Sequence, residues 1–417
     1  MSQANAGVAR HVNRDRLWQR HMSMARHGAT EANGVNRQAL SVVEIAARRE
    51  LIEWGAAIGL TAHTDAAGNF FLRLQGSDAA AAPVLSGSHL DSQPSGGKFD
   101  GVYGVLAAFE AVQAIHEAGI KPRRSIEVVA WMNEEGSRFA PGMMGSAAFT
   151  GAAPLAGMLP ICDAAGVSVE EELAAMAFAF PQVSQRELGG PVAAYVEAHI
   201  EQGPVLEQQG FSVGVVTGIQ GKRTFRVSVK GEDAHAGTSQ RRDRKDALLA
   251  ATAMIQALAK VMHDDEDVVK FTVGRMDVKP NAPSVVAGHV EFSIDLRHPV
   301  EAVLRDLGDC VASICRHHAG PCAVGVEELV TAMPLEFPVS MQAEVRDAAK
   351  RLGLRSMDLP SAAGHDARYL HGICPSAMIF VPCKGGISHN EAESATPDDL
   401  YDGARVLAET LLALAGR

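Results

Sequence analysis

The chain has 417 residues, which suits two or three domains of ordinary size, and its 47% hydrophobic and 21% charged residues are the proportions of a globular protein. The formal net charge of -11 opposes a polyanionic partner, because the nearest basic run, RRDRKD at 241–246, is interrupted by two Asp residues. Composition therefore excludes the disordered and fibrous classes, and we expect no nucleic-acid partner.

The six cysteines lack C-x-x-C spacing and the density of a disulfide scaffold, so we expect reduced thiols. The first residues have no apolar stretch before a cleavage site, and no later run reaches about 18 uncharged apolar residues. These observations predict a cytoplasmic protein without a membrane partner.

The first half of the chain alternates helical and strand patterns. Apolar residues at helical spacing predict helices over 41–60 and 102–119. The strand-like runs are GNFFLRL (68–74), PVLSGSHL (83–90), SIEVVAWM (125–132) and YVEAHIEQG (195–203). This alternation predicts an α/β domain with a larger mixed sheet and helices on both faces.

A change of texture near 218 begins a second module. The patterns between 218 and 333 run strand, helix, strand, strand, helix, strand, which is the order of a ferredoxin-like βαββαβ fold. Helix, strand and helix patterns resume after 334. We therefore predict a catalytic domain made of 1–217 and 334–417, with the 218–333 module inserted into it.

Polar side chains follow the predicted strands of the larger domain. They are His89, Asp91, Asp100, Glu134, Glu135, His199 and His389. Ligands in open α/β sheets bind at the carboxyl ends of strands, so these side chains indicate one site. Taken singly, each histidine is more often a surface or core residue, and adjacent glutamates are usually a solvated face. Their shared position at strand exits, bracketed by Gly or Pro, favours the site.

Imidazole and carboxylate groups together suit a divalent metal such as zinc. The groups are too many for one ion, whereas two ions bridged by a carboxylate use about six ligand bonds and leave one carboxylate as a base. We expect two divalent ions per chain, with zinc favoured and manganese, cobalt or nickel as alternatives.

Longer motifs then show a family resemblance. GSHLD, GGKFDGVYGVLAA, WMNEEGSRF, EAHIEQGPVLE, GEDAHAGT, VEFSIDLRHP, AAGHDA and FVPCKGGISHNEAE occur in order from about residue 27 to the C-terminus. In these motifs the chain resembles the dinuclear metal amidohydrolases that include N-carbamoyl-L-amino-acid hydrolase, β-ureidopropionase and allantoate amidohydrolase.

The resemblance implies the metal ligands. It assigns His89 and His199 to one ion, Glu135 and His389 to the other, and Asp100 to the bridge. Two catalytic roles follow in the same way: Asp91 is expected to accept a hydrogen bond from the His89 ring, and Glu134 to act as general base.

The resemblance also makes the inserted module a lid and dimer interface. It implies that His235 completes a neighbouring subunit's site and that Arg297 grips the substrate carboxylate. A capping role for His235 and a structural ion pair for Arg297 are the alternatives. Gln202 matches a residue that touches the ureido group.

One motif departs from the family. The family writes PN..NVVPG where this chain has PNAPSVVAG, so Ser284 replaces an asparagine that contacts the substrate, and Asn281 is a candidate to take over that contact. The segment TSQRRDRKD after His235 also departs from the TxPM..R.DAL pattern. The first change concerns the substrate more than the reaction type, and the second concerns the contacts of the lid.

The function implied is hydrolysis of the ureido C–N bond of an N-carbamoyl amino acid, to the amino acid, carbon dioxide and ammonia. Carbamoyl-α-amino acids and carbamoyl-β-alanine differ by one methylene, which a sequence does not distinguish. Allantoate is the second candidate within the class, and an N-acyl amino acid or peptide the third. An inactive binding scaffold is disfavoured, since every ligand position and Glu134 are filled.

Overall fold

The computed structural model describes residues 7–416, which form two compact units. One unit comprises the residues up to Thr217 and those from Phe337 onward, and the other runs from Gly218 to Glu336. The return to the larger unit thus lies three residues beyond the predicted boundary at 333/334. Within residues 7–416, no helix is both long and apolar enough to span a membrane.

The helices are α1 Arg14–Met24, α2 Val42–Ala57, α3 Val102–Glu117, α4 Met144–Thr150, α5 Leu155–Met158, α6 Val169–Ala179, α7 Val205–Gln209, α8 Ala247–Met262, α9 Glu301–His317, α10 Val339–Arg351, α11 Ala367–Leu370 and α12 Pro397–Ala415. The strands are β1 Thr61–Thr64, β2 Phe70–Leu74, β3 Val84–His89, β4 Ile126–Trp131, β5 Ser184–Gln185, β6 Ala194–Ile200, β7 Val213–Ile219, β8 Gly221–Lys230, β9 Ala234–His235, β10 Lys270–Thr272, β11 Met276–Lys279, β12 Val285–Val286, β13 His289–His298, β14 Ala323–Ala332, β15 Leu335–Glu336, β16 Ser356–Ser361 and β17 Ser376–Val381.

The large sheet has the order β15-β7-β17-β6-β3-β4-β2-β1-β5, with β16 paired to β7. Its centre is parallel, since β17 pairs with β6, β6 with β3, and β3 with β4 in the same direction. Every residue of these four strands is buried, which requires cover on both faces. The flanking pairs are mostly antiparallel, and the predicted α/β domain with a mixed sheet is confirmed.

Local sequence explains the main helices. Ser41 caps α2 by accepting a hydrogen bond from Glu44 N, and Thr396 caps α12, whose first residue is Pro397. The long helix α3 is buried along nearly its whole length and packs on β3 and β6, so it forms part of the core directly behind the site.

The smaller unit has the ferredoxin-like order predicted from its patterns. Strand β13 pairs with β8 on one side and with β10 and β11 on the other. Strand β14 pairs with the other side of β8, and all these pairs are antiparallel. Helices α8 and α9 pack on this sheet over a separate hydrophobic core. A short ribbon pairs β9 with β12 and thereby brings His235 opposite Val285.

Several elements were not predicted. Helix α6 begins with a capping box, in which Ser168 and Glu171 exchange hydrogen bonds, and this signal was present in the sequence. Strands β7 and β16 lie near the edge of the large sheet, and their short patterns were not recognised. None of these elements carries a predicted site residue.

Candidate metal centre

Parallel strands bring the predicted ligands to one edge of the large sheet. His89 ends β3, His199 lies one residue before the end of β6, and the segments carrying Glu135 and His389 follow β4 and β17. Because these four strands are parallel neighbours, their carboxyl ends lie side by side. Asp100 enters from the loop that precedes α3.

Two clusters of ligand atoms share Asp100. In the first cluster, Asp100 Oδ1 lies 3.2 Å from His199 Nε2 and 4.0 Å from His89 Nε2. In the second, Asp100 Oδ2 lies 3.2 Å from His389 Nε2, which is itself 3.3 Å from Glu135 Oε2. The two oxygens of one carboxylate thus face two different clusters, which is the arrangement of a bridging ligand.

Hydrogen bonds orient the two imidazoles of the first cluster. His89 Nδ1 donates to Asp91 O and His199 Nδ1 donates to Ile200 O, each at 2.9 Å. A carbonyl oxygen only accepts, so Nδ1 carries a proton in each ring, and in the neutral form of the ring Nε2 keeps a lone pair on the side of Asp100. Lone pairs facing a carboxylate fit a bound cation, and this donor set suits a divalent metal.

The pKa values of the ligand side chains also fit a site for a cation. Burial raises the pKa of the Asp100 carboxyl, but His199 and His389 outweigh it and hold that pKa well below its usual value. Burial lowers the pKa of His199, but its hydrogen bond to Asp100 and the charges of Asp100 and Glu197 together outweigh burial and raise that pKa to about 9. The pKa of His389 is also raised to about 9, first by its own hydrogen bond to the other oxygen of Asp100. A divalent cation would take the place of these protons, since only neutral imidazole coordinates a metal.

Glu134 lies beside the first cluster without belonging to it. Its Oε2 is 3.5 Å from His89 Nε2. Burial, and then the neighbouring carboxylates with Asp366 first, raise the pKa of Glu134 well above its usual value. A carboxyl group with a raised pKa next to a metal position is suited to accept and return a proton.

Asp91 differs in detail from the prediction. The His89 ring donates to the backbone carbonyl of Asp91, while the carboxylate of Asp91 lies 3.7 Å from that ring. The carboxylate instead accepts from the backbone N–H groups of Glu134 at 3.2 Å and Glu135 at 3.1 Å. Asp91 therefore orients the two glutamates through their backbone, and the expected carboxylate–imidazole bond was wrong.

Three residues around the clusters were missed by the sequence analysis. Gln93 Nε2 donates to Glu135 Oε2 at 2.7 Å, and its backbone N–H reaches the other oxygen at 3.2 Å. Ser388 and Glu393 contact the segment that carries Asp100. The amino-acid sequence does not reveal these contacts, because each partner is more than 40 residues away along the chain.

Gln202 lies at the centre of the site, beside the bridging carboxylate. Its Nε2 donates to Asp100 Oδ2 and to Ser388 Oγ, both at 3.0 Å. Its backbone is in the left-handed region at φ 56°. The amide thus stabilises the bridging carboxylate in the described structure, and its predicted contact with a ureido group stays a prediction.

The glycines of the loop between β3 and α3 make room for functional side chains. A Cβ on Gly101 would lie 2.3 Å from His89 Cε1, and Gly101 has φ +67°. A Cβ on Gly97 would lie 2.0 Å from the Glu393 carboxyl group. These two positions need glycine because ligand and positioning side chains occupy the space.

The AAGHDA motif lies behind the first cluster. His365 packs edge-on against the His199 ring, with centroids 4.6 Å apart, and bonds to Ser361 Oγ at 2.8 Å. Glu197, which could join both histidines around an ion, already accepts from Ser88 Oγ at 2.7 Å and Ala367 N at 3.0 Å. This group therefore supports the His199 ring from behind.

The predicted substrate residues of the smaller unit form a local group around the β9–β12 ribbon. His235 is exposed, and its Nδ1 accepts from Gly237 N at 3.0 Å and Thr238 N at 3.1 Å. The proton of the neutral ring is therefore on Nε2, which makes that nitrogen a donor. Ser284 O accepts from Ala236 N at 3.0 Å, and the side chains of Ser284 and Asn281 belong to exposed residues.

Arg297 lies on β13 and is paired with Asp295. Its Nε and Nη2 donate to the two carboxylate oxygens at 2.8 and 3.2 Å, and Lys222 also contacts Asp295 at 3.2 Å. Arg297 and Asp295 are each about 30% exposed (30% and 31%), so the pair is accessible to solvent. The ion pair that the sequence left as an alternative is present, and the grip on a substrate carboxylate stays a prediction.

Comparison with known proteins gives consistent results. Residues 85–413 match the model of peptidase family M20/M25/M40. The chain is 38% identical over 417 residues to an N-carbamoyl-L-amino-acid amidohydrolase of Rhizobium meliloti, covering 99% of each chain, and 34% identical to an allantoate amidohydrolase of Bacillus subtilis, covering 94% and 95%. A hydantoinase/carbamoylase family amidase of Burkholderia multivorans superposes with a TM-score of 0.89 at 41% identity, covering 97% of this chain and 98% of that one.

Proposed function

The chain belongs to peptidase family M20/M25/M40, and on that premise we propose that it is a metal-dependent amidohydrolase of N-carbamoyl amino acids. The products would be the amino acid, carbon dioxide and ammonia. The observation that carries the proposal is the pair of ligand clusters on the two oxygens of Asp100. The relatives named for N-carbamoyl-L-amino acids support this substrate class.

His89, His199 and Asp100 would hold one divalent ion, and Asp100, Glu135 and His389 the other. Bound ions of this kind polarise a carbonyl and lower the pKa of water to near 7. Zinc suits the mixed imidazole and carboxylate donors, and manganese, cobalt and nickel accept them too.

Glu134 would be the general base. Its carboxylate takes a proton from the water that attacks the ureido carbon, and then passes that proton to the amino nitrogen as the C–N bond breaks. The carbamic acid released would decompose to carbon dioxide and ammonia. The hydrogen bond that Glu134 N donates to Asp91 Oδ1 supports this role, because it fixes the base relative to His89.

The smaller unit would supply the remaining contacts. We propose that the protein is a homodimer in which His235 of one copy donates from Nε2 to the developing oxyanion in the other copy. Arg297 would bind the substrate carboxylate, with Ser284, Asn281 and Gln202 near the ureido end. The exposed, Nε2-protonated ring of His235 supports the first of these assignments.

Allantoate is the second candidate substrate. It carries ureido groups and a carboxylate, so the same machinery would act on it, and two relatives are named allantoate amidohydrolases. Carbamoyl-β-alanine and N-acyl amino acids or peptides are less supported, since the relatives cited above are named for N-carbamoyl-L-amino acids or for allantoate.

A substrate panel tests the proposal. The purified protein is assayed with N-carbamoyl-L- and D-α-amino acids, N-carbamoyl-β-alanine, allantoate and N-acetyl amino acids, scored for ammonia and free amine. We expect ammonia release from N-carbamoyl-L-amino acids, abolished by a chelator and restored by added metal. Release of amine from acetyl substrates alone would contradict the proposal.

The matched control is Glu134→Gln, which keeps the shape of the side chain and removes its basicity. Its metal content should equal that of the wild type while kcat falls by at least about a hundredfold, the contribution of a general base. Turnover close to that of the wild type would remove Glu134 from the mechanism.

A further inference from the structure

We propose that Glu393 is a positioning residue that holds the second metal cluster together by joining the loop of Asp100 to the segment of His389. This inference rests on the proposed dinuclear site and adds to it a residue outside the ligand set and outside the base. Glu393 acts through the backbone of Asp100 and through Ser388.

The contacts of the Glu393 carboxylate span both segments. Its Oε1 accepts from Phe99 N at 2.8 Å and from Asp100 N at 3.1 Å. Its Oε2 lies 3.1 Å from Ser388 Oγ, and the same hydroxyl lies 3.1 Å from Asp100 Oδ2. One side chain thus fixes the backbone of the bridging ligand and the residue directly before His389.

The surroundings are built to admit this carboxylate. Glu393 is only 4% exposed. It fills the space above Gly97, where any Cβ would lie 2.0 Å from its carboxyl carbon. A buried carboxylate is stabilised only when hydrogen bonds replace its water, and the two backbone N–H donors supply them at Oε1, while the single proton of the Ser388 hydroxyl can bond to Glu393 or to Asp100.

The two clusters differ in how they are supported. His89 and His199 belong to buried strands, and their rings are fixed by backbone carbonyls at 2.9 Å. His389 lies on a segment outside regular helix and strand, at φ +53°, and its side chain is 52% exposed. The first cluster is therefore held by the sheet, whereas the second depends on contacts between segments.

Loss of Glu393 should consequently weaken one ion and spare the other. Removal of a residue that orients a metal ligand typically costs 10- to 100-fold in metal affinity. We expect a loss of that size for the second-cluster ion. The change for the first ion should stay below about twofold, because two of its three ligands, His89 and His199, are held by the sheet and only Asp100 is shared.

The test measures zinc affinity on the holoenzyme by competition with a graded series of chelators, together with zinc content by elemental analysis. Glu393→Ala should show one ion loosened and one unchanged. Glu393→Gln should bind nearly as the wild type, because an amide oxygen still accepts both N–H bonds. Glu391→Ala is the matched control: Glu391 lies two residues away and bonds to Thr30 instead.

The ion that loosens is identified with His389→Ala, which leaves only the first cluster. Adding Glu393→Ala to that variant should not change the affinity of the remaining ion. If Glu393→Ala does not fold, Ser388→Ala gives the answer, since it removes the hydroxyl between Glu393 and Asp100; we expect a loss of about 2- to 10-fold for the second ion, the worth of one hydrogen bond.

Two results would overturn the role of Glu393: both ions bound by Glu393→Ala as by the wild type, or both loosened equally. A wild-type protein that binds fewer than two ions would contradict the dinuclear proposal itself. The role of Glu393 is therefore judged from the Glu393→Ala variant, and the dinuclear proposal from the wild-type protein.

Discussion

Gly101 gives a test of how tightly the loop and the first cluster are fitted. Its φ is +67°, and an added Cβ would collide with the His89 ring at 2.3–2.4 Å. Gly119 also has φ +67°, but its added Cβ has no atom of the described residues within 4 Å. The two positions share the same positive φ, and only Gly101 has the collision.

We predict that Gly101→Ala loses zinc affinity and kcat/KM by at least about tenfold, because displacement of a ligand ring disturbs the metal geometry. Gly119→Ala should lower only the free energy of unfolding, by about 1 kcal/mol or more, for the strain of alanine at positive φ. Elemental analysis, kinetics and urea unfolding of both variants measure this. Equal metal content and kinetics in the two variants would show that the ring tolerates the methyl group.

The sequence was sufficient to identify most residues of the site, but not the contacts that they make. His89, His199 and His389 could be found because each lies at or shortly after the end of a recognisable apolar strand, and Asp100 because it lies just before the predicted helix α3. Gln93 and Glu393 could not, since their importance arises from bonds to Glu135 and Asp100 N, which the fold brings close. The predicted partner of the His89 ring was wrong because the sequence does not show whether the ring bonds to the side-chain carboxylate of Asp91 or to the backbone carbonyl of Asp91.

Among the elements, the turn from His235 to Ser239 depends on one arginine. Arg244 Nη2 donates to Ala236 O at 2.7 Å and to Ser239 O at 3.0 Å, while Ser239 Oγ donates to His235 O at 2.7 Å. The guanidinium therefore closes the turn that fixes the His235 ring. In the proposed mechanism, loosening this turn misplaces an oxyanion donor.

We predict that Arg244→Met lowers kcat/KM by about 10- to 100-fold, the effect of a small misplacement of a catalytic group. Arg242→Met is the control, because the nearest partner of this exposed side chain is Asp243 at 3.9 Å. In a His235→Ala background, Arg244→Met should have no further effect. An equal additional loss there would mean that Arg244 acts independently of His235.

Helix α1 places a neutral histidine against the Asp100 loop. His21 packs on Phe99 and Tyr103, with centroids 5.5 and 6.0 Å apart, and neither ring nitrogen has a hydrogen-bond partner among residues 7–416. Burial, and then Arg37, lower the pKa of His21 to about 3. Between pH 3 and about 6.5 the unfolded chain binds one more proton at this position than the folded chain, so stability rises with pH in that window.

We therefore predict that His21→Phe reduces the loss of stability in acid. From pH 6.5 downward, the wild type should lose up to about 1.4 kcal/mol per pH unit more than the variant. Urea unfolding at pH 7 and pH 5 measures both proteins. Parallel losses would contradict the neutral, buried state of His21.

Helices and strands were predicted correctly where their burial produces a clear hydrophobic pattern in the sequence. The strands β3, β4, β6 and β17 are short apolar runs, and the alternation of β8 and β13 was equally readable. Strands β1 and β5 were missed because four and two residues carry too little pattern. Their pairing is decided by the tertiary structure.

For the whole molecule, the order of elements was enough to predict an inserted module, because βαββαβ is distinctive within one stretch of chain. The proposed assembly is a different kind of claim. Chain order carries no information on whether His235 serves its own site or a neighbour's, since both use the same residue numbers.

Complementation between inactive variants decides this. Glu134→Gln lacks the base, and His235→Ala lacks the oxyanion donor. If His235 acts across a dimer, a mixed dimer has one site with both defects and one site complete. Random exchange makes about half of the dimers mixed, so about a quarter of wild-type activity should return. The measurement is ammonia release after the two variants are mixed under conditions that permit subunit exchange.

A dimer with His235 acting in its own chain gives a different result, because every site then keeps one defect and activity stays at the level of the separate variants. Two controls separate slow exchange from this outcome. Exchange is followed directly with differently labelled copies. Wild type is also mixed with the double variant Glu134→Gln, His235→Ala, and its activity is compared with that of equally diluted wild type. Activity below that of diluted wild type is expected only if His235 acts across copies. Labelled copies that exchange without recovery of activity would remove the proposed role of His235 in a neighbouring site.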